Sequence, residues 1–171
     1  MMRKNPQFEN IVKWHQDLHE SDRRGAKAML KRCKTISEIY LNPAYVKLVQ
    51  DVGCLNEQNP KDTLAVLAGV LSHVKPAHEM QEGQRLPLFS VKIAISPKGG
   101  GFISPVRFRQ LLACNRSDKL LRLLIRIVSQ VNDFDIMEFT KSLYYWNLKS
   151  KKSWAFDYYS NLPDKNKPKG A

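Results

Sequence analysis

Lysine and arginine gather on this chain in two places where helical spacing lines them up, and the chemistry open to such a line is the binding of anions. In SPVRFRQLLACNRSDKLLRLLIRIVSQV, Ser104 to Val131, a leucine-rich run follows Ser117, a natural N-cap. At about 100° per residue, Leu120, Leu124, Ile127 and Val131 share one side of the resulting helix. Lys119, Arg122 and Arg126 fall opposite, with Ser129 and Gln130 filling the gaps and no acid among them. Just upstream, Ser104 followed by Pro105 marks the start of a helix that buries Phe108, Leu111 and Leu112. Arg107 and Arg109 land on the two flanks of that apolar face and diverge, so one phosphate cannot take both. In SDRRGAKAMLKRCK the pattern repeats. Ala26, Met29, Leu30 and Cys33 make an apolar side, Arg24, Lys27 and Lys31 lie opposite, and Arg23 and Lys34 stand on one shoulder with Arg32 on the other.

A solvated surface is the plain reading of cations at exposed helix positions, but ordinary surfaces interleave both signs. Two amphipathic helices with same-sign faces repel themselves, and an anionic partner relieves that cost. Each phosphate neutralised would release counterions and make affinity fall steeply with salt.

Metal and catalytic chemistry find less support. His15 and His19 in WHQDLH have the i, i+4 spacing of helical metal ligands, but the glutamate of an HExxH pair is missing and a site needs further ligands. No metal and no other cofactor is expected. Cys33, Cys54 and Cys114 are widely spaced with no CxxC pair, and read as buried free thiols. Asp133 and Asp135 are close in sequence, yet Asp135 suits a helix cap and two-metal hydrolysis needs a wider acidic cluster. Gly99 to Gly101 lack the lysine-serine or lysine-threonine ending and the preceding strand of a phosphate loop, and read as a flexible connector. With no GxSxG and no paired cysteine and histidine, an enzyme is not expected. Trp14, Trp146, Trp154, Tyr144, Tyr145, Tyr158 and Tyr159 could stack on unpaired bases, but large aromatics among apolar neighbours are better read as core. From Trp154 to Tyr159 a protein interface is the alternative.

At 171 residues, 43% hydrophobic and 26% charged, the chain has enough apolar surface for one ordinary core. Its 28 lysines and arginines against 16 aspartates and glutamates leave a formal charge of +12, which points to nucleic acid, an anionic membrane or an acidic protein. The longest apolar run, LAVLAGVL from Leu64 to Leu71, is far short of the roughly 20 residues that span a bilayer. MMRKNPQFEN holds no apolar signal segment, so a cytoplasmic protein without a membrane partner is expected.

The elements that must position these residues are helices. Asn5 and Pro6 open one that runs through Leu18, and a second runs from Ser21 to Cys33. Asn42 and Pro43 start a third, PAYVKLVQDV, which Gly53 closes. Asp62 begins a fourth, TLAVLAGVLSHV, apolar almost all round and therefore central. Between residues 75 and 103, KPAHEMQEGQRLP reads as loop. LFSVKIAIS alternates like a strand, but a lone strand has no partner, so a helix from near Pro87 is expected there. Asp135 and Glu138 form a capping box before IMEFTKSLYYWNL, and a last short helix carries Trp154, Phe156, Tyr158 and Tyr159. The expected fold is an all-α compact bundle of seven or eight helices, in one or two lobes, over residues 1–162. Residues 163–171 form a basic tail expected to be disordered.

With the residues in this order, the chain resembles the CasB family, the small subunit of the type I-E CRISPR Cascade surveillance complex. The likeness rests on the tryptophan helix Trp14 to Leu18, RGAKAMLKR (Arg24 to Arg32) and NPAYVKLVQ (Asn42 to Gln50). It continues through SPVRFRQLLACNRSDKLLRLLIRIV from Ser104 and the tryptophan after a leucine helix, Leu143 to Trp146. The resemblance implies a non-catalytic, all-helical subunit, present as a pair beside the repeated backbone subunits and the large subunit of an RNA-guided complex. Its nucleic-acid partners would be crRNA and target DNA, including the displaced single strand. Exchanging a DNA duplex for an RNA–DNA heteroduplex is nearly balanced in free energy, so protein contacts to the backbones help decide whether the opened state persists.

By position, Lys31 and Arg32 match the family's basic pair, Arg107 the arginine of its S-x-x-R segment, and Arg116 the one shortly after. Arg122 and Arg126 rest on the helical face. The expected function is stabilisation of an R-loop by sequence-independent contacts through Arg24, Lys27, Lys31, Arg32, Arg107, Arg116, Lys119, Arg122 and Arg126. One rival is an assembly part whose basic faces dock acidic surfaces of neighbouring subunits without touching nucleic acid. Another is a freestanding RNA-binding protein.

Overall fold

Helices begin where short polar side chains stand before apolar runs. The computed structural model describes residues 8–53, 58–78 and 80–164; the predicted Asn5–Pro6 start, Cys54 and the tail from residue 165 lie outside the described residues. Among these there are ten α-helices, eight of them seven residues or longer, and no strand. The first half holds α1 (Phe8–Leu18), a 3-10 turn (Ser21–Arg23), α2 (Arg24–Arg32), α3 (Ile36–Tyr40), α4 (Pro43–Val52) and α5 (Gln58–Leu71). The second half holds α6 (Phe89–Lys92), α7 (Pro105–Ala113), α8 (Asp118–Val128), α9 (Ile136–Tyr145) and α10 (Leu148–Asn161). Side chains of Thr35, Asn42, Ser104, Ser117, Asp135 and Asn147 accept a backbone N–H from the first turn of the helix that follows each.

Three details depart from the expected elements. The segment after Ser21 is not one helix but a 3-10 turn that leads into α2. α5 starts at Gln58 instead of Asp62, whose carboxylate takes the Tyr40 hydroxyl. The capping box forms by half: Asp135 Oδ1 accepts from the Glu138 N–H at 2.9 Å, but the Asp135 N–H donates to the Pro87 carbonyl and Glu138 turns to the Ser142 hydroxyl.

α5 is packed by α2, α3, α4, α8 and α9, as a helix apolar almost all round must be. Every residue from Thr63 to Ser72 is buried. A Cβ on Gly69 would lie 2.7 Å from Ile39 Cδ1 and 2.7 Å from Leu121 Cδ1, so the missing side chain lets α3 and α8 close on α5. In the second half the core is aromatic. Phe89 of the four-residue α6 meets Phe134, Phe139 and Trp154 at centroid distances of 4.8, 4.7 and 5.3 Å. This burial explains why LFSVKIAIS forms a short helix: its phenylalanine is a hub between α9 and α10, and the described residues hold no strand to pair with it. α10 has 14 residues and is not the short helix expected; it buries Trp154 and Tyr158 and leaves Phe156 75% exposed.

The histidine pair of α1 is structural. His15 is fully buried and its Nε2 donates to the Val74 carbonyl at 2.8 Å, while His19 Nδ1 donates to the His15 carbonyl at 2.9 Å. No group of three or more histidine, cysteine or acidic side chains able to hold a metal is present among the described residues. Burial holds the His15 pKa down to about 4, from an ordinary 6.5, with the neighbouring His19 adding to the effect. Its Nδ1 is buried without a partner, so a second proton would sit where nothing accepts it. Between those two values the unfolded chain binds a proton that the folded one refuses, so stability falls as pH drops from about 6.5 towards 4. The expected loss from this residue is at most about 3 kcal/mol. Denaturant unfolding at pH 7 and pH 4.5 checks it: His15→Gln should lose clearly less stability across that interval than the native protein.

Candidate nucleic-acid interface

The basic stripe of α8 is held outward by what its other side buries. Leu120, Leu121, Leu124, Ile127 and Val128 are buried, which leaves Lys119, Arg122 and Arg126 exposed. The one acid of α8, Asp118, is turned inward, where its Oδ1 accepts the Ile36 N–H at 2.8 Å and ties the start of α8 to α3. On α2, Leu30 is the buried anchor and Arg24, Lys31 and Arg32 are exposed. Lys27 is partly buried, and burial together with the charges of Lys31 and Arg24 lowers its pKa. Met29, expected in the apolar side, is 52% exposed, because nine residues of helix over α1, α4 and α5 seat little more than Leu30.

The two basic helices border one groove. Lys31, Cys33 and Lys34 at the end of α2 and Arg122, Ile125, Arg126, Ser129 and Gln130 along α8 line one groove of about 560 Å³, with His73 entering from just beyond α5. Arg122 and Arg126 are one turn apart, about 6 Å along the axis. The groove therefore has a cationic rim, an apolar strip at Ile125 and Cys33, and amide and hydroxyl groups at one end. Among the described residues the ion pairs are Lys47 with Asp51 and His78 with Asp133, and neither involves the groove. Burial and the Lys31 charge lower the His73 pKa, against the opposing pull of the Lys31 carbonyl. The Cys33 thiol is pushed up by burial and by Glu38, which makes it a poor nucleophile.

Of the predicted contact residues, the groove gathers Lys31, Arg122 and Arg126. Arg24, Lys27, Arg32, Arg107, Arg116 and Lys119 are not among its lining residues. Arg116 has a structural engagement: its guanidinium donates to the carbonyls of Tyr144 at 2.7 Å and Tyr145 at 3.0 Å, closing the C-terminal end of α9. Arg107 and Arg109 are both exposed on either side of the buried Phe108, which stacks on Tyr158 at 3.9 Å. Lys34, expected on a shoulder of the α2 face, also lines the groove, from just beyond the last turn of α2. His73 is a groove residue that the helical faces missed, because it follows α5, which carries no basic face.

The carboxylates considered for catalysis have partners of their own. Asp133, at φ 56°, accepts from the ring and the backbone N–H of His78, which hold its pKa down. Asp135 caps α9.

A family model described as CRISPR-associated protein Cse2 matches residues 26–159, from within α2 to the last turn of α10. The chain belongs to the Cse2 family. This is the family, also called CasB, to which the order of the basic and tryptophan segments points. A chain in the crystal structure of E. coli Cascade bound to a PAM-containing dsDNA target superposes with a TM-score of 0.71 at 19% identity, covering 93% of this chain and 100% of that one. Comparison with curated protein sequences returns no match. The segments that build the groove, the end of α2 and the whole of α8, lie inside the Cse2 match. No described helix is long and apolar enough to cross a membrane.

Proposed function

We propose that this Cse2-family protein is a non-catalytic subunit of an RNA-guided Cascade complex that stabilises the R-loop by gripping sugar-phosphate without reading bases. The observation that carries the reading is the convergence of Lys31 and Lys34, at and just beyond the end of α2, with Arg122 and Arg126 of α8 on one groove, none of them in an ion pair among the described residues. Four cations around a groove, with Glu38 the acid beside it and in no ion pair with them among the described residues, repel each other at low salt, and a single strand laid between them relieves that repulsion. The displaced DNA strand, unpaired and flexible, suits a groove of this size better than a duplex does. Nearby crRNA and target strand would meet the outlying cations, among them Arg24, Arg32, Arg107 and Lys119. A pair of copies, the backbone subunits and the large subunit are its proposed protein neighbours.

Gel shifts of the purified protein with single-stranded DNA, duplex DNA and RNA across a salt series test the reading. The single strand should bind with an affinity that falls with salt at a logarithmic slope near −3, from about 0.7 per phosphate neutralised by four cations. Affinity insensitive to salt, or no binding to any of the three, would contradict it. Tight binding to RNA alone would favour a freestanding RNA-binding role.

A further inference from the structure

The last helix divides its aromatic residues between two sides. Trp154 and Tyr158 are fully buried, whereas Leu148, Phe156 and Tyr159 are 67%, 75% and 45% exposed. At about 100° per residue these three exposed side chains fall within one quarter of the helix circumference, with Lys152 inside that sector and Lys149 at its edge. The one acid of α10, Asp157, lies on another side and accepts the Ser90 hydroxyl at 2.7 Å. On the flank beside the N-terminal end of that face, Lys141, Tyr145, Lys149, Ser150 and Ser153 line a hollow of about 400 Å³. None of the lysines named here is in an ion pair among the described residues.

Single exposed apolar residues on a surface are ordinary, but three large ones on one helix face are a patch that water does not favour. Tyr159 is also held in place. Its ring stands perpendicular to Phe108 at 5.7 Å and to Tyr158 at 5.2 Å, so two core aromatics fix its plane. Phe156 makes no ring contact among the described residues and has its faces open. Protein interfaces are depleted in lysine, whereas rigid aromatics set among unpaired lysines are the build of a surface that holds unpaired bases and tracks their phosphates.

We infer that the outer face of α10 is a stacking platform for unpaired bases of a single-stranded nucleic acid, with Phe156 and Tyr159 under the bases and Lys149 and Lys152 beside the phosphates. This is a second contact surface, sharing no residue with the groove. It adds base contact, still without sequence preference, to backbone contact, because every base has a face to stack.

The test uses the purified full chain with oligothymidine and with an abasic strand of equal length and equal charge, followed by fluorescence anisotropy. The native protein should bind oligothymidine about tenfold more tightly than the abasic strand. Phe156→Ala with Tyr159→Ala should remove that preference and leave abasic binding unchanged. Phe156→Ala alone, at the more exposed position, should reduce it and keep the melting temperature of the native protein. Equal binding of both strands by the native protein, no binding of either, or an undiminished preference in both variants would overturn the inference; equal binding is also the outcome for a platform that serves a protein partner. Charge reversal in the groove should weaken both strands alike, so a failure of the groove reading and a failure of the platform are told apart by the ratio between strands.

Discussion

The protein carrying Arg122→Glu and Arg126→Glu is expected to bind single-stranded DNA about a hundredfold more weakly than the native protein at low salt, with an unchanged fold. Both side chains are exposed, and neither is in an ion pair or a side-chain hydrogen bond among the described residues, so stability has little reason to change. A glutamate at position 122, one turn from Asp118, costs a few tenths of a kcal/mol at most. The effect on binding is larger because two phosphate contacts are lost and two repulsive charges face the strand. Loss of two contacts should also reduce the salt slope by about 1.4. Titrations at several salt concentrations read both quantities. The pair is the strongest choice in the groove, since Lys31 and Lys34 sit on flexible stems at a helix end while the two arginines stand on a capped helix with a buried opposite side.

Trp154→Ala is expected to cost about 3–5 kcal/mol, a large part of what a domain of this size has. Trp154 is fully buried, and its indole lies 5.3 Å from Phe89, 6.1 Å from Phe139 and 5.1 Å from Trp146. Removing it leaves a cavity where α6, α9 and α10 meet, and α6, four residues long, has little else to hold it. The indole N–H is buried without a partner, so truncation strands no acceptor and the loss is one of packing. Trp154→Phe should therefore recover most of the stability. Denaturant unfolding of the two variants checks both statements, and equal losses would contradict the packing account.

Much of this was legible from residue order, because capping and helical periodicity are local physics. Ser104, Ser117, Asn42 and Asp135 cap the helices they were expected to cap, and the stripe of Lys119, Arg122 and Arg126 stands opposite the buried leucines. α3 was missed although its signal is present. Thr35 and Glu38 have capping-box spacing, and Thr35 does accept the Glu38 N–H, but the helix is five residues long and offers no periodicity to read. The groove was out of reach for a different reason. Each basic face follows from its own helix, whereas their meeting depends on α5 and α8 packing through Gly69, a contact between distant segments.

The aromatics divide in the same way. Type and spacing suggested that Trp154, Phe156, Tyr158 and Tyr159 act together, but only the position of α10 over α6 and α9 decides which are core and which face solvent. Arg116 shows the converse limit: a cation that matched a functional position by sequence is engaged with two main-chain carbonyls.

The most direct measurement is the rate at which target DNA leaves the assembled RNA-guided complex, compared across a salt series for complexes built with native and with Arg122→Glu, Arg126→Glu subunits. The account predicts that both complexes assemble to the same extent and that the charge-reversed one loses its target faster, with the gap widest at low salt and closing as salt screens the groove. A charge-reversed complex that assembles normally and retains target DNA as long as the native one at every salt concentration would contradict it, and would leave the groove as a surface for neighbouring subunits alone.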